Sequence, residues 1–340
     1  AYQPAAPAAA PQPAPVAAPA PEKPAAAPSR SRLPLLLAAV MLLAVGVGGY
    51  FALRSPQVTA AEQLTRAEQA QGDDRVDALV KVASLPDATE AQLARAGALL
   101  VEAKAWDAAL TLCDGWLQKN PKSLDGRLTE AKAAVQNRKA KRAETAIREA
   151  STLAPNDARP DALMAELREL QGETGAALEA WTKAVAKAPN NTQYLARQGY
   201  WLSQGGRLDE AEAALTKATR RKGDAAAVAE LGFVKYRKEQ KDEALRILRG
   251  VVKEKPELLE GHYYLATVLF AKGDLAGARA EYLAADGLAG ADTRPLTALC
   301  EMEQMQQTSE LEAAKKLIRE RFPKEADALL SKCAAAAPAP

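Results

Sequence analysis

The sequence predicts an all-α chain, a superhelical array of antiparallel helix pairs following one transmembrane helix. Three observations carry this expectation. Beyond Arg54, apolar residues recur at helical spacing, broken every 15 to 20 residues by Gly, Asp, Asn or Pro and never by strand-like alternation. The breaks at Pro121, Pro155, Pro189, Gly223, Pro256 and Gly290 lie 34, 34, 34, 33 and 34 residues apart, which is an internal repeat. Residues 33–53 form an uncharged run of 21 residues. At about 1.5 Å per residue, a helix of that length just crosses the hydrocarbon core of a bilayer.

Residues 1–32 are nearly all Ala and Pro, with Glu22, Lys23, Arg30 and Arg32 as the charged side chains. A segment with so little to bury is expected to be a disordered linker. The run from Leu33 to Leu53 is too long and too far from the start for a cleavable signal, and lacks a small-x-small cleavage pattern before Arg54. Lys23, Arg30 and Arg32 ahead of it outweigh Arg54 and Arg66 behind it, so the N-terminus is expected in the cytoplasm. The repeat array then lies outside the cytoplasm, in the periplasm of a bacterium with an inner membrane. Ala44, Gly48 and Ala52, spaced by four, make a small-residue stripe on which a second transmembrane helix, including one from a homo-oligomer, could pack, although small residues are common in such helices without that role. The chain opens on Ala1 with no initiator Met, which leaves room for an upstream cytoplasmic domain.

Residues 55–89 contain a degenerate helix pair, Ala60 to Gln71 and Arg75 to Ser84. Residues 90–292 carry six units. Twelve residues before each break stand Ala109, Ala143, Ala177, Ala211, Ala244 and Ala278, and 24 before stand Gly97, Ala131, Ala165, Gly199, Gly232 and Ala266. Small residues at fixed places on both helices permit close approach of their axes. Eight residues before each break, Cys113, Ile147, Trp181, Leu215, Leu248 and Tyr282 supply a large group to fill the space beside them. Residues 293–332 form degenerate capping helices around Pro323, and 333–340 a flexible tail.

These six units resemble the tetratricopeptide repeat, which favours a small residue at position 8, Ala at 20, a large apolar group at 24, a small residue at 27 and Pro at 32. Position 27 is met by Ala150, Ala184, Ala218 and Ala285 but departs to Trp116 and Val251. The resemblance implies a protein or peptide partner in a concave groove lined by the first helix of each unit. Groove positions in units four to six hold Tyr200, Phe233, Tyr236, Tyr263 and Phe270, with Arg197 and Arg237 beside them. Such a cluster suits apolar anchors and a carboxylate. Packing between units is the competing role for these rings. Units one to three offer no comparable anchor, and the Lys and Asn set with which some family members clamp a terminal carboxylate is missing.

Charge and composition narrow the function. Residues 55–340 hold 41 basic against 42 acidic side chains, without the one-sided field that nucleic acid requires. The run Arg138, Lys139, Lys141, Arg142 falls in the turn between the helices of unit two and reads as a solvated face, with contact to lipid head groups or an acidic partner as the alternative. Cys113, Cys300 and Cys333 are odd in number and contain no C-x-x-C pair, so neither a disulfide framework nor a zinc site is expected. Cys113 and Cys300 fall on core positions, whereas Cys333 is expected to be exposed in the tail. His262 is expected to be a packed polar side chain. No Ser/His/Asp set, phosphate loop or metal cluster is apparent, so no cofactor and no catalysis are expected. The leading function is a membrane-tethered scaffold for a bacterial envelope machine, whether for secretion, pilus, motility or wall synthesis. A transmembrane receptor coupled to an upstream cytoplasmic domain is the second, and a non-catalytic subunit or enzyme the remainder.

Overall fold

The computed structural model describes residues 58–220 and 224–336, and the described residues hold seventeen helices and no strand. None of these helices is long and apolar enough to cross a membrane. The linker 1–32, the transmembrane run 33–53 with its Ala44, Gly48 and Ala52 stripe, the break at Gly223 and the last four residues lie outside the described residues.

The degenerate leading pair is α1 (Ala60–Gln69) and α2 (Gly72–Val82). Units one to three follow as α3 (Glu90–Glu102) with α4 (Trp106–Lys119), α5 (Leu124–Gln136) with α6 (Ala140–Leu153), and α7 (Arg159–Leu170) with α8 (Thr174–Lys187). Units four to six are α9 (Thr192–Gln204) with α10 (Leu208–Ala218), α11 (Ala225–Arg237) with α12 (Lys241–Glu254), and α13 (Leu259–Ala271) with α14 (Leu275–Ala289). Three helices close the array: α15 (Arg294–Gln306), α16 (Leu311–Arg321) and α17 (Ala326–Ala335).

Local chemistry starts these helices. Thr59 and Thr89 form capping boxes with Glu62 and Gln92, and Ser123, Asn191, Asp224 and Asp274 cap α5, α9, α11 and α14 through their side chains. Between the two helices of every unit, one residue takes the left-handed conformation. These are Lys104, Arg138, Gly172, Gly206, Glu239 and Gly273, with φ from 55° to 83°. Glycine holds the conformation without penalty, whereas a Cβ there crowds the following carbonyl. Among the described residues nothing lies within 4 Å of a Cβ built on Gly172, Gly206 or Gly273. Gly→Ala at any of the three should therefore lower stability by about 1 kcal/mol from backbone strain alone, read as a fall in the urea midpoint.

Small and large positions meet as the repeat predicts. A Cβ on Gly199 would stand 2.6 Å from Leu215 Cγ, and one on Gly232 would stand 2.8 Å from Leu248 Cγ. The departures at position 27 are absorbed locally. Trp116 is fully buried and its indole N–H donates to Glu90 at 2.9 Å. Val251 is matched by Gly261 in the next unit, where a Cβ would lie 3.0 Å from Val251 Cγ1.

Two expectations at the C-terminal end are corrected. Cys333 is buried, and it forms a disulfide with Cys300. Helix α17 continues through Ala335, so residues 333–335 belong to a packed helix, not a flexible tail. The reason is that α17 folds back onto α15, bringing the two Cα atoms within 5.6 Å. Cys113 is the odd cysteine, and it is buried. Loss of water pushes its thiol up to about 12, which keeps it un-ionised and inert.

Candidate functional site

Consecutive first helices pack on one another along most of the array, in the pairs α3–α5, α5–α7, α9–α11 and α11–α13. Helices α7 and α9 lack that close contact, and the space between them is a cleft of about 450 Å³. Its lining includes Lys132 and Gln136 from α5, Glu166 and Glu169 from α7, and Tyr194 and Arg197 from α9. Leu170, an apolar side chain left 52% exposed, stands at its edge.

Glu169 is the electrostatic centre of the cleft. The indole N–H of Trp181 donates to its Oε1 at 2.6 Å, the indole N–H of Trp201 donates to the same oxygen, and Arg197 donates to Oε2. Its charge is thus matched by one guanidinium and two neutral donors. A second carboxylate of the cleft, Glu166, accepts from Lys132 at 2.6 Å and from Gln136 at 3.3 Å. This network links units two, three and four beside the gap between α7 and α9.

The aromatic wall expected in units four to six is present and half-buried. Phe233 stacks on Tyr264 with centroids 4.4 Å apart and meets Tyr236 at 5.8 Å. Tyr263 joins through Tyr264 at 5.9 Å, while Phe270 packs on the same core. Tyr200 stands apart from this group, against Trp201 at 5.1 Å and beneath the Arg197 guanidinium at 5.4 Å. Phe233, Tyr236, Tyr263 and Phe270 pack against the core, while Tyr200 and Tyr264 line a smaller slot between α9, α11 and α13.

The two arginines are differently occupied from what a carboxylate site requires. Arg197 is engaged by Glu169, and Arg237 donates to the Ser203 carbonyl and, at 3.4 Å, to its hydroxyl, tying unit five to unit four. The residues that sequence reasoning missed are Trp181, Tyr194, Trp201, Tyr264, Glu169 and Glu230. A signal existed in the adjacent pairs Tyr200–Trp201 and Tyr263–Tyr264, since neighbours on a helix point about 100° apart and place one ring in the groove and one at its wall.

Other charged groups are spent on structure. Lys139 pairs with Asp107 at 2.6 Å, and the hydrogen bond from Lys139 is the main cause holding Asp107 below the usual carboxylate range. Arg142 reaches Asp114 at 2.6 Å and Glu130 at 2.8 Å. His262 is buried, with Nδ1 at 2.6 Å from Glu281 and Nε2 at 2.9 Å from the Pro256 carbonyl. Among the described residues no group of three His, Cys, Asp or Glu side chains could hold a metal ion.

Two family models, each described as Tetratricopeptide repeat, match the chain, one over residues 100–167 and the other over 163–227 and 230–293. Among solved structures, a tetratricopeptide repeat protein from Parabacteroides merdae is 18% identical with a TM-score of 0.57, covering 72% of this chain and 98% of its own. PilW, described as a widely conserved type IV pilus biogenesis factor, is 16% identical with a TM-score of 0.53, covering 61% and 98%. The APC/C hetero-tetramer Cut9–Hcn1 is 17% identical with a TM-score of 0.58, covering 83% of this chain and 57% of that one. At such identities the likeness is one of fold. No curated protein matches the chain.

Proposed function

Because the chain belongs to the tetratricopeptide repeat family, we propose that it is a protein-binding scaffold, tethered to a bacterial inner membrane through residues 33–53, whose repeat array recruits components of an envelope machine outside the cytoplasm. The observation that carries the binding role is the groove itself. A cleft opens between α7 and α9, a smaller slot beside it is lined by Tyr200 and Tyr264, and the half-buried Phe233 stacks on Tyr264 and meets Tyr236. The tether rests on the uncharged run 33–53 and on the basic residues ahead of it. The Cys300–Cys333 disulfide supports an oxidising compartment for the array, since such bonds are rare in the cytoplasm. Likeness to PilW at 16% identity speaks to architecture alone, so the machine is left as a class: secretion, pilus, motility or wall synthesis.

The test is proximity labelling in the native cell from a tag placed after the repeats, with and without Tyr200, Phe233 and Tyr236 changed to Ala. Envelope partners should be captured reproducibly, and capture should fall at least about tenfold in the triple variant while its helicity stays near the parent's. Cytoplasmic partners alone would overturn the topology. Unchanged capture would remove the aromatic groove from the reading, and a variant that cannot fold would assign the rings to packing.

A further inference from the structure

Next to the cleft, α9, α11 and α13 enclose a smaller slot of about 240 Å³. Its floor is made of small side chains, Ala196, Ala226 and Ala227. Its walls carry three carboxylates, Asp224, Glu230 and Glu260, and the rings of Tyr200 and Tyr264.

Glu230 is only 5% exposed. Its Oε2 accepts from the Tyr264 hydroxyl at 2.7 Å, but its Oε1 is buried with no hydrogen-bond partner among the described residues. Tyr264 cannot supply the missing donor, because its one proton is already directed at Oε2. Burial, with Glu230 beside it, keeps that phenol protonated. Burial also raises the Glu230 pKa, opposed by the Tyr264 hydroxyl and by the nearby Ser203, whose own hydroxyl lies outside hydrogen-bonding geometry to Oε1. A buried acceptor left in this state costs stability until something donates to it.

Charge decides the kind of donor. Arg197 at the slot's mouth is held by Glu169, and Arg237 is turned to the Ser203 carbonyl. Arg294 approaches Glu260 no closer than 3.8 Å and sits tighter on Asp292 at 2.6 Å. One oxygen of Asp224 is used in capping α11 at 3.0 Å. Among the described residues the slot therefore keeps a surplus of negative charge that a neutral donor would leave uncompensated, while its alanine floor and aromatic walls suit an aliphatic stem ending in a cation.

We propose that this slot takes one lysine or arginine side chain of the bound partner, with its stem over Ala226 and Ala227 and its N–H groups on the carboxylates of Glu260 and Glu230. The inference deepens the groove reading above and rests on it for the identity of the ligand as part of a protein. It also reverses the ligand polarity expected from sequence, where Arg197 and Arg237 pointed to a carboxylate.

The experiment uses the full 340-residue chain in a non-ionic detergent with its alanine methyl groups carrying ¹³C. The probes are n-butylammonium and n-butylguanidinium, with butyrate and 1-pentanol as controls. Both cations should shift the methyl signals of Ala196, Ala226 and Ala227 saturably, whereas the anion and the alcohol leave them in place. Glu230→Gln, which keeps an acceptor for Tyr264, should weaken the cations at least tenfold. Glu260→Gln, at a more exposed position that does not risk the core, should weaken them as well. Absence of saturable shifts, equal shifts with 1-pentanol, or cation binding unchanged in both variants would overturn the slot. These probes need no partner, so their failure alongside groove-dependent partner capture sinks the slot alone. Saturable cation binding alongside capture that ignores Tyr200, Phe233 and Tyr236 sinks the groove reading alone.

Discussion

Arg279→Ala should destabilise the C-terminal end of the array by about 3 kcal/mol. Glu303 on α15 is 0% exposed, and its two oxygens accept from Arg279 at 2.6 and 2.9 Å, with the Thr308 hydroxyl also donating to it. The guanidinium is its compensating charge, reached across from α14. Glu303 is the main cause that holds the Arg279 pKa above its ordinary value. Without Arg279 the carboxylate must either stay buried as a bare charge or take up a proton, and both cost free energy. The lower end of the usual range applies because Arg279 keeps 30% of its side chain exposed. Urea unfolding of the parent and variant measures the effect. A double change, Arg279→Met with Glu303→Met, should recover most of the loss, since the penalty comes from the orphaned charge and not from the missing contact. A single variant as stable as the parent would refute the account.

Removing the Cys300–Cys333 bond is expected to cost slightly more, about 3–4 kcal/mol, if loop-closure entropy governs a bridge spanning 33 residues. Both sulfur atoms lie in the buried core formed by α15 and its neighbours. The Cys300→Ala, Cys333→Ala variant keeps the apolar character of the site, so the loss reports the cross-link more than the packing. Native-state hydrogen exchange should show the change concentrated in α17, which the bridge ties to α15. Cys113→Ala leaves the bridge in place and is the control for thiol loss. Equal α17 protection in oxidised and reduced protein would contradict the prediction.

Much of this fold could be read from the sequence because the repeat encodes contacts between neighbours. Gly199 lies against Leu215 and Gly232 against Leu248, and in each case the partner stands 16 residues away in the same unit. The helix pair at 60–84 was legible for the same reason. Cys333 was not, because its surroundings in the sequence are Ala and Pro, and only the return of α17 onto α15 buries it. The candidate site divides likewise. Phe233 and Tyr236 were singled out from their positions within a unit, and the structure packs both against the core. The Glu169 network was not, since it joins Trp201 to a residue 32 positions earlier across a place where successive first helices separate. Nothing in the repeat pattern marks that separation. Glu230 was equally hidden, as its burial depends on Tyr264, 34 residues on, and its shortage of donors depends on where Arg237 turns.

A chain held only by successive neighbours has a mechanical character. Tension applied between its first and last helices is carried by the junctions in series, so every junction bears the full load and the least cohesive one sets the limit. Where α7 and α9 stand apart, that junction is carried by the packing of α8 on α9 together with the side-chain bonds of Glu169. At the far end the oxidised bridge shortens the available rope: the 33 residues from Cys300 to Cys333 correspond to about 110 Å of extended chain that stays locked however hard the ends are drawn.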